Sequence, residues 1–169
     1  MGKIIIIPVL EKFTFDCFTG TASSYNHDWV EQALTNIKAI GFSSVRTWIF
    51  AGWNGVELDS NGHAVLLTDE FKANFEDYLK TVKKVGLTLN AVLVPHFYQS
   101  ADDVNLASQI VVNPAATQSY IDNALNPLLE MMKPYEDSII ALDLYLLLFE
   151  QFRYVVLLNH FLNDVNDYQ

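Results

Sequence analysis

The chain has 169 residues, 51% of them hydrophobic and 18% charged, a balance that excludes a disordered or fibrous protein and predicts one domain with a large core. Twenty acidic against ten basic side chains give a formal charge of -10, which repels a phosphate backbone, so no nucleic-acid partner is expected. Cys17 is the only cysteine, which excludes an intrachain disulfide framework and a thiolate metal cluster and predicts a small core residue.

In chain order, MGKIIIIPVLEKF has a lysine and a short apolar run without a small-residue cleavage site. It is too short to span a bilayer and predicts a strand near Ile4 to Val9. Asn26 is a good N-cap for an amphipathic helix from Asp28 to Ile40, and Gly41 stands where the helix needs a left-handed residue before a strand from Ser44 to Phe50. WNGVELDSNGHAVLLTDEF is long for a strand-to-helix loop, and Ser60-Asn61-Gly62 predicts the turn of a small hairpin within it. The unit then repeats: Thr68 caps a helix from Asp69 to Val85, Gly86 ends it, and a strand follows from Leu87 to Val94. A second long loop, polar and rich in Asp, Asn and Ser, runs from His96 to Val112.

The third helix starts at Pro114 behind Asn113 and extends to Lys133, with a kink expected at Pro127 and an end at Pro134 instead of glycine. Its strand runs from Ile139 to Leu146, and from Phe149 through Asp167 apolar residues recur at helical spacing. The apolar region from Ile139 to Leu158 is broken by Asp143, Glu150 and Arg153, charges too costly inside lipid for a membrane span. Near-continuous apolar strands alternating with helices predict a parallel sheet whose long loops gather at the strand C-termini, the face where function resides in such folds.

Alternation puts Ser44, Arg46 and Trp48 on one face of the second strand, and Asn90, Val92, Val94 and His96 on one face of the third. A strand-centre arginine needs a carboxylate or several carbonyl partners, so Arg46 is either a satisfied structural arginine or part of a site. His96 follows Pro95 at a strand end, where it either orients a carboxylate or substrate hydroxyl or bonds to backbone. Trp48, Trp53, Phe97 and Tyr98 lie at or beyond strand ends, where flat rings stack on sugars or simply fill the core. Glu57, Asp59, Asp102 and Asp103 read as solvated loop acids; none has metal-ligand spacing, and neither metal nor cofactor is expected.

The segments VEQALTNIKAIGFSSVRTWIF, LTDEFKANFEDYLKTVKKVGLTLNAVLVPHF and EDSIIALDLY, in this order and spacing, resemble the N-terminal half of a clan-A retaining glycoside hydrolase of the cellulase and β-mannanase type, similar to glycoside hydrolase family 5. The likeness covers about residues 26–145. It implies a (β/α)8 TIM barrel that binds β-linked polysaccharide over its strand C-termini, with a general acid/base in an Asn-Glu pair after strand four and a nucleophile after strand seven. It further implies that Arg46 is the strand-two active-site arginine, that His96 lies on the substrate side after strand three, and that Asp143 begins the strand-four motif. Arg46, Trp48, Trp53, His96 and Tyr98 become the substrate-binding candidates.

Against that pattern, Leu146 and Leu147 stand where the resemblance expects Asn-Glu, and leucine neither gives nor takes a proton. Glu150 lies three residues beyond the expected acid and, by strand alternation, on the opposite face from Leu147; it is a weak catalytic candidate. A complete barrel takes about 250 residues, so residues 1–169 read as a single half-barrel domain, a (β/α)4 parallel sheet with outer helices, diverged over 146–169. The expected function is a catalytically inactive relative that retains weak binding of β-linked saccharide. Alternatives are an active retaining O-glycosyl hydrolase using a displaced carboxylate such as Glu57 or Glu150, and an unrelated β/α fold with other small-molecule chemistry. Open edges at the first and fourth strands, and inward faces at Val45 or Arg46, Val92, Val94 and Leu147, predict completion as a homodimer.

Overall fold

A computed structural model of the chain describes residues 25–50, 53, 55–93, 109–110 and 112–143, together with the backbone of 3–6. The expectations for Cys17, for the ends of the first, third and fourth strands, for the loop beginning at His96 and for the final helix lie outside these residues.

The described chain runs β1 (Lys3–Ile6), α1 (His27–Ala39), β2 (Phe42–Trp48), a hairpin of β3 (Val56–Leu58) and β4 (Ala64–Leu67), α2 (Asp69–Val85), β5 (Thr88–Val92), α3 (Pro114–Tyr120), a π turn (Ile121–Leu125), α4 (Asn126–Met132), a 3-10 turn (Lys133–Ser138) and β6 (Ile139–Asp143). Four strands form one sheet in the order β1-β2-β5-β6, and each neighbouring pair is parallel. Parallel neighbours require crossovers, which the helical segments supply. The helices cover one face of the sheet: Val45, Ile49, Leu89, Ala91 and Leu93 share a buried cluster with Leu34 of α1 and with Phe71, Phe75, Leu79 and Val82 of α2. Thr47, on the same face, hydrogen-bonds the Tyr78 hydroxyl of α2 at 2.7 Å.

Local chemistry sets the helix boundaries. Asn26, Thr68 and Asn113 each accept a backbone N–H of the first turn, from Trp29, Phe71 and Ala115 respectively, satisfying donors that a helix leaves unpaired. α2 ends in a Schellman arrangement: Gly86, at φ 74°, donates to Lys83 O, and Leu87 donates to Val82 O at 3.1 Å. α1 ends with Gly41 at φ 93°.

Pro127 does not break the third helical segment. Lacking an N–H and clashing with the carbonyl four residues back, it is preceded by the π turn, in which Asn126 N–H donates to Ile121 O. One extra residue in the turn absorbs the misfit while the apolar face stays on the core, with Ala124, Leu125, Leu128 and Met132 all buried. The segment also docks the hairpin, since Ala64 N–H donates to Ser119 Oγ at 3.2 Å and Asn123 Nδ2 donates to Ala64 O at 2.8 Å. At the hairpin tip, Asp59 Oδ1 accepts from Asn61 N–H and His63 N–H at 2.8 and 2.9 Å, and Gly62 takes φ 78°.

Rings join the chain just beyond β2 to α2 and α3. Phe50 lies 5.2 Å from Phe71, which stacks on Phe75 at 5.5 Å, and Tyr120 meets Phe50 and Trp53 edge-on at 6.3 and 6.0 Å. Among the described residues no helix is long and apolar enough to cross a membrane.

Gly86→Ala should lower stability by about 1 kcal/mol, the cost of left-handed backbone for a residue with a Cβ. The added methyl would meet only Lys38 Nζ, at 3.7 Å, so strain acts without a clash, and denaturant unfolding of the two proteins measures it.

Candidate functional site

The sheet face opposite the helices carries the polar residues. In register across it lie Ser44 with Thr88, Arg46 with Asn90, and Trp48 with Val92, while Asn90 pairs with Ala141 and Val92 with Asp143. Ser44, Arg46 and Trp48 therefore share a face with Thr88, Asn90 and Val92 of β5 and with Ala141 and Asp143 of β6. Toward the strand N-termini the Ser44 and Thr88 hydroxyls bond each other at 2.7 Å, and Thr88 also donates to Ser43 O.

Toward the C-termini, Arg46 reaches past β5 to Asp143. Nε and Nη2 donate to the same carboxylate oxygen, Oδ2, at 3.1 and 2.8 Å. The arginine side chain is 16% exposed and the aspartate 37%. Burying a guanidinium in a strand requires such a partner, and the partner comes from 97 residues away because the register puts β6 two strands over. Nη1 and Oδ1 are left outside the pair, one able to donate and the other to accept.

Asn90 sits between the two, and its Oδ1 is buried with no hydrogen-bond partner among the described residues, a costly state for a polar atom. The Tyr120 hydroxyl is likewise buried with no partner among the described residues, and burial pushes its ionisation well above the usual range. It stands beside Trp53, whose φ of 60° is left-handed backbone at a residue with a large side chain.

Of the substrate-binding candidates, Arg46 and Trp48 lie on this face. Trp53 is in the core, 7% exposed and packed on Tyr120, so its ring is not offered to solvent. His96, Tyr98, Leu146, Leu147 and Glu150 lie outside the described residues. Glu57 is exposed on β3, opposite Leu66 of β4. The Asp59 carboxylate is held below the usual range by the His63 N–H that it accepts, then by that of Asn61, and serves its own turn. Asp143 is the one carboxylate that the described strands put on this face. Retaining hydrolysis needs two, about 5 to 5.5 Å apart, and the described part of the face holds no such pair. No group of three or more potential metal ligands occurs among the described residues.

The expectation of a wet inward surface needs correction at two positions. Val45 and Val92 are 0% exposed within the single chain. Val45 faces the helices, and Val92 lies on the polar face beside Trp48 and Asp143. Three features were not read from the sequence: the Arg46–Asp143 bond, the orphaned Asn90 oxygen, and a surface cluster around His27 and Asp77. The first was accessible in principle, since Arg46 asks for an acid and Asp143 is the strand acid nearest in register.

No family model matches the chain, and no curated protein matches it. Solved structures do. The β-mannanase of the blue mussel Mytilus edulis superimposes with a TM-score of 0.64 at 23% identity, over 76% of this chain and 36% of that one. The endo-1,4-β-mannanase of Eisenia fetida gives 0.57 at 22% identity, over 69% and 33%. A glycoside hydrolase family 5 enzyme of Prevotella bryantii B14 gives 0.54 at 12% identity, over 84% and 42%. The fold is thus that of part of the barrels of these proteins, and the chain spans between a third and about two fifths of their length.

Arg46→Leu should cost about 2 kcal/mol, less than the ~3–5 kcal/mol of a fully buried pair, because water reaches Asp143 once the arginine is gone. A double-mutant cycle with Asp143→Asn, read by urea unfolding, should give a coupling of about 1 kcal/mol. Additive effects would mean that the two side chains are held independently.

Proposed function

We propose that the chain is a β-mannanase-like partial barrel that binds β-linked oligosaccharide weakly and does not hydrolyse it. The observation that carries this reading is the Arg46–Asp143 pair, which bridges β2 and β6 across β5 on the face opposite the helices, in a fold shared with mannanases, with Leu146 and Leu147 three and four residues after Asp143. The pair supplies donors and acceptors for sugar hydroxyls, and Trp48 supplies a flat apolar surface beside them. His96 and Tyr98 complete the binding set in this reading. Leucines at the acid/base positions remove the proton transfer on which leaving-group departure depends.

Titration of the purified chain with β-1,4-linked manno-oligosaccharides, followed by tryptophan fluorescence, should give saturable binding, while β-mannan and aryl β-mannosides should remain uncleaved. Turnover that disappears in Glu150→Gln would establish the displaced-carboxylate reading instead. Neither binding nor turnover would leave only the fold in common with the mannanases.

The same reading includes a homodimer. Among the described residues β1 and β6 are the outer strands of the sheet, and backbone edges of this kind seek partners. A second copy, related by a two-fold axis, would pair them and cover Leu146, Leu147, Leu148 and Phe149. Light scattering should report about twice the 19.2 kDa chain mass, and Leu147→Glu should dissociate or unfold the assembly. A compact monomer at micromolar concentration would overturn the dimer while leaving the saccharide titration interpretable.

A further inference from the structure

Away from the sheet face, a chain of side chains ties the start of α1 to the second half of α2. Asp77 Oδ2 accepts from the Tyr25 hydroxyl at 2.6 Å and lies 2.7 Å from His27 Nδ1. The other ring nitrogen, Nε2, lies 3.2 Å from Glu31 Oε2, and Glu31 Oε1 is 2.6 Å from Lys84 Nζ. Tyr25 and His27 flank Asn26, the N-cap of α1, so the contacts fix the entry of the chain into that helix.

The imidazole decides what this arrangement can be. A neutral ring has one N–H and one lone pair. With carboxylates on both nitrogens, either tautomer would bond one acid and turn a lone pair toward the other. Only imidazolium donates to both. We infer that His27 is a proton-controlled clasp between α1 and α2, closed while its ring carries both protons and loosened when one is lost.

The groups facing the ring are Tyr25 from the turn before α1, Asp28 and Glu31 from α1, and Asp77 from α2. Lys84 and Lys80 lie one step further out, beside Glu31 and Asp77. The acids dominate the ring's surroundings. The Asp77 hydrogen bond, then the charge of Asp77, raises the pKa of His27 above its ordinary 6.5. Partial burial works to raise Asp77, and the hydrogen bonds from Tyr25 and His27 outweigh it and lower the pKa below 3.8. The Lys84 hydrogen bond holds Glu31 below 4.5, against a smaller opposing effect of desolvation.

The signs define a window. For His27 the folded pKa is the higher one, so its stabilisation is complete below 6.5 and is lost as pH rises through the folded value. For Asp77 and Glu31 the folded pKa is the lower one, so theirs is present above 3.8 and 4.5 respectively and is lost as pH falls through the folded values. The clasp is therefore closed in mildly acid solution and loosens toward alkaline pH.

Proton NMR of the intact chain tests this, with the His27 signal assigned by its absence in His27→Gln. The ring should titrate with a midpoint above 6.5, and Asp77→Asn and Glu31→Gln should each lower that midpoint. The amide protection of Val30, whose N–H bonds Asn26 O at 3.0 Å, should fall at least severalfold between pH 6 and pH 8.5, after correction for intrinsic exchange. That fall should vanish in His27→Gln, and circular dichroism at both pH values verifies that each variant is folded. A midpoint at or below 6.5, or the same loss of Val30 protection in His27→Gln, would overturn the clasp.

Discussion

A guanidinium placed in the middle of a strand must be neutralised within the length of its own side chain, and that requirement constrains the polar side of this sheet. Arg46 has β5 as its neighbour, and β5 offers Asn90 and Val92 on the shared face, neither of them a counter-ion. The acid comes from β6, so the ion pair needs three strands in a particular order and a particular register. A slip of one residue would turn Arg46 or Asp143 to the helix side, among Val45, Leu89 and Leu93. An unpaired charge there costs far more than the pair contributes in place. The pair therefore contributes to specificity of register as well as to stability.

The helix-facing side obeys the opposite rule. Val45, Leu89, Ala91 and Leu93 are fully buried there and Ile139 and Leu142 partly so, while Thr47 bonds the Tyr78 hydroxyl. Size matching does the work there: Phe71 and Phe75 of α2 stack on one another and reach Phe50 just beyond β2, and Tyr120 closes the group from α3. The two faces thus divide the tasks. One anchors the layers by apolar area, and the other holds a few polar groups where their bonding partners come only from other strands.

Local signals were legible in the sequence because they involve neighbours in the chain. The three asparagine and threonine caps, the glycine ends of α1 and α2 and the Ser60-Asn61-Gly62 hairpin each depend on residues within five positions of one another, and each is found where the sequence puts it. The response to Pro127 was not legible. A kink and a π turn both relieve the same clash, and the choice depends on whether Ala124, Leu125 and Leu128 can remain on a core that lies elsewhere in the chain. The contacts of Tyr25 and His27 with Asp77, about fifty residues apart, fall in the same class. So does the burial of Trp53, whose neighbour Tyr120 is set by tertiary packing. Of the candidate site, the faces of β2 and β5 were readable from alternation, but the register between strands, the bond across β5 and the orphaned Asn90 oxygen were not.

Asn90 bears on what this face is kept for. A buried amide oxygen with no partner costs stability that an apolar residue of similar size would recover, on the order of 1–3 kcal/mol. The neighbouring polar groups do not relieve it: the Arg46 donors Nε and Nη2 are turned to Asp143, and the Ser44 and Thr88 hydroxyls bond each other. A face selected for stability alone would place valine or leucine at this position, as β5 does at Leu89 and Val92 on either side of the Asn90–Ala91 pair. The polar set at Arg46, Asn90 and Asp143 is therefore costlier than an apolar lining would be, so packing alone does not account for it.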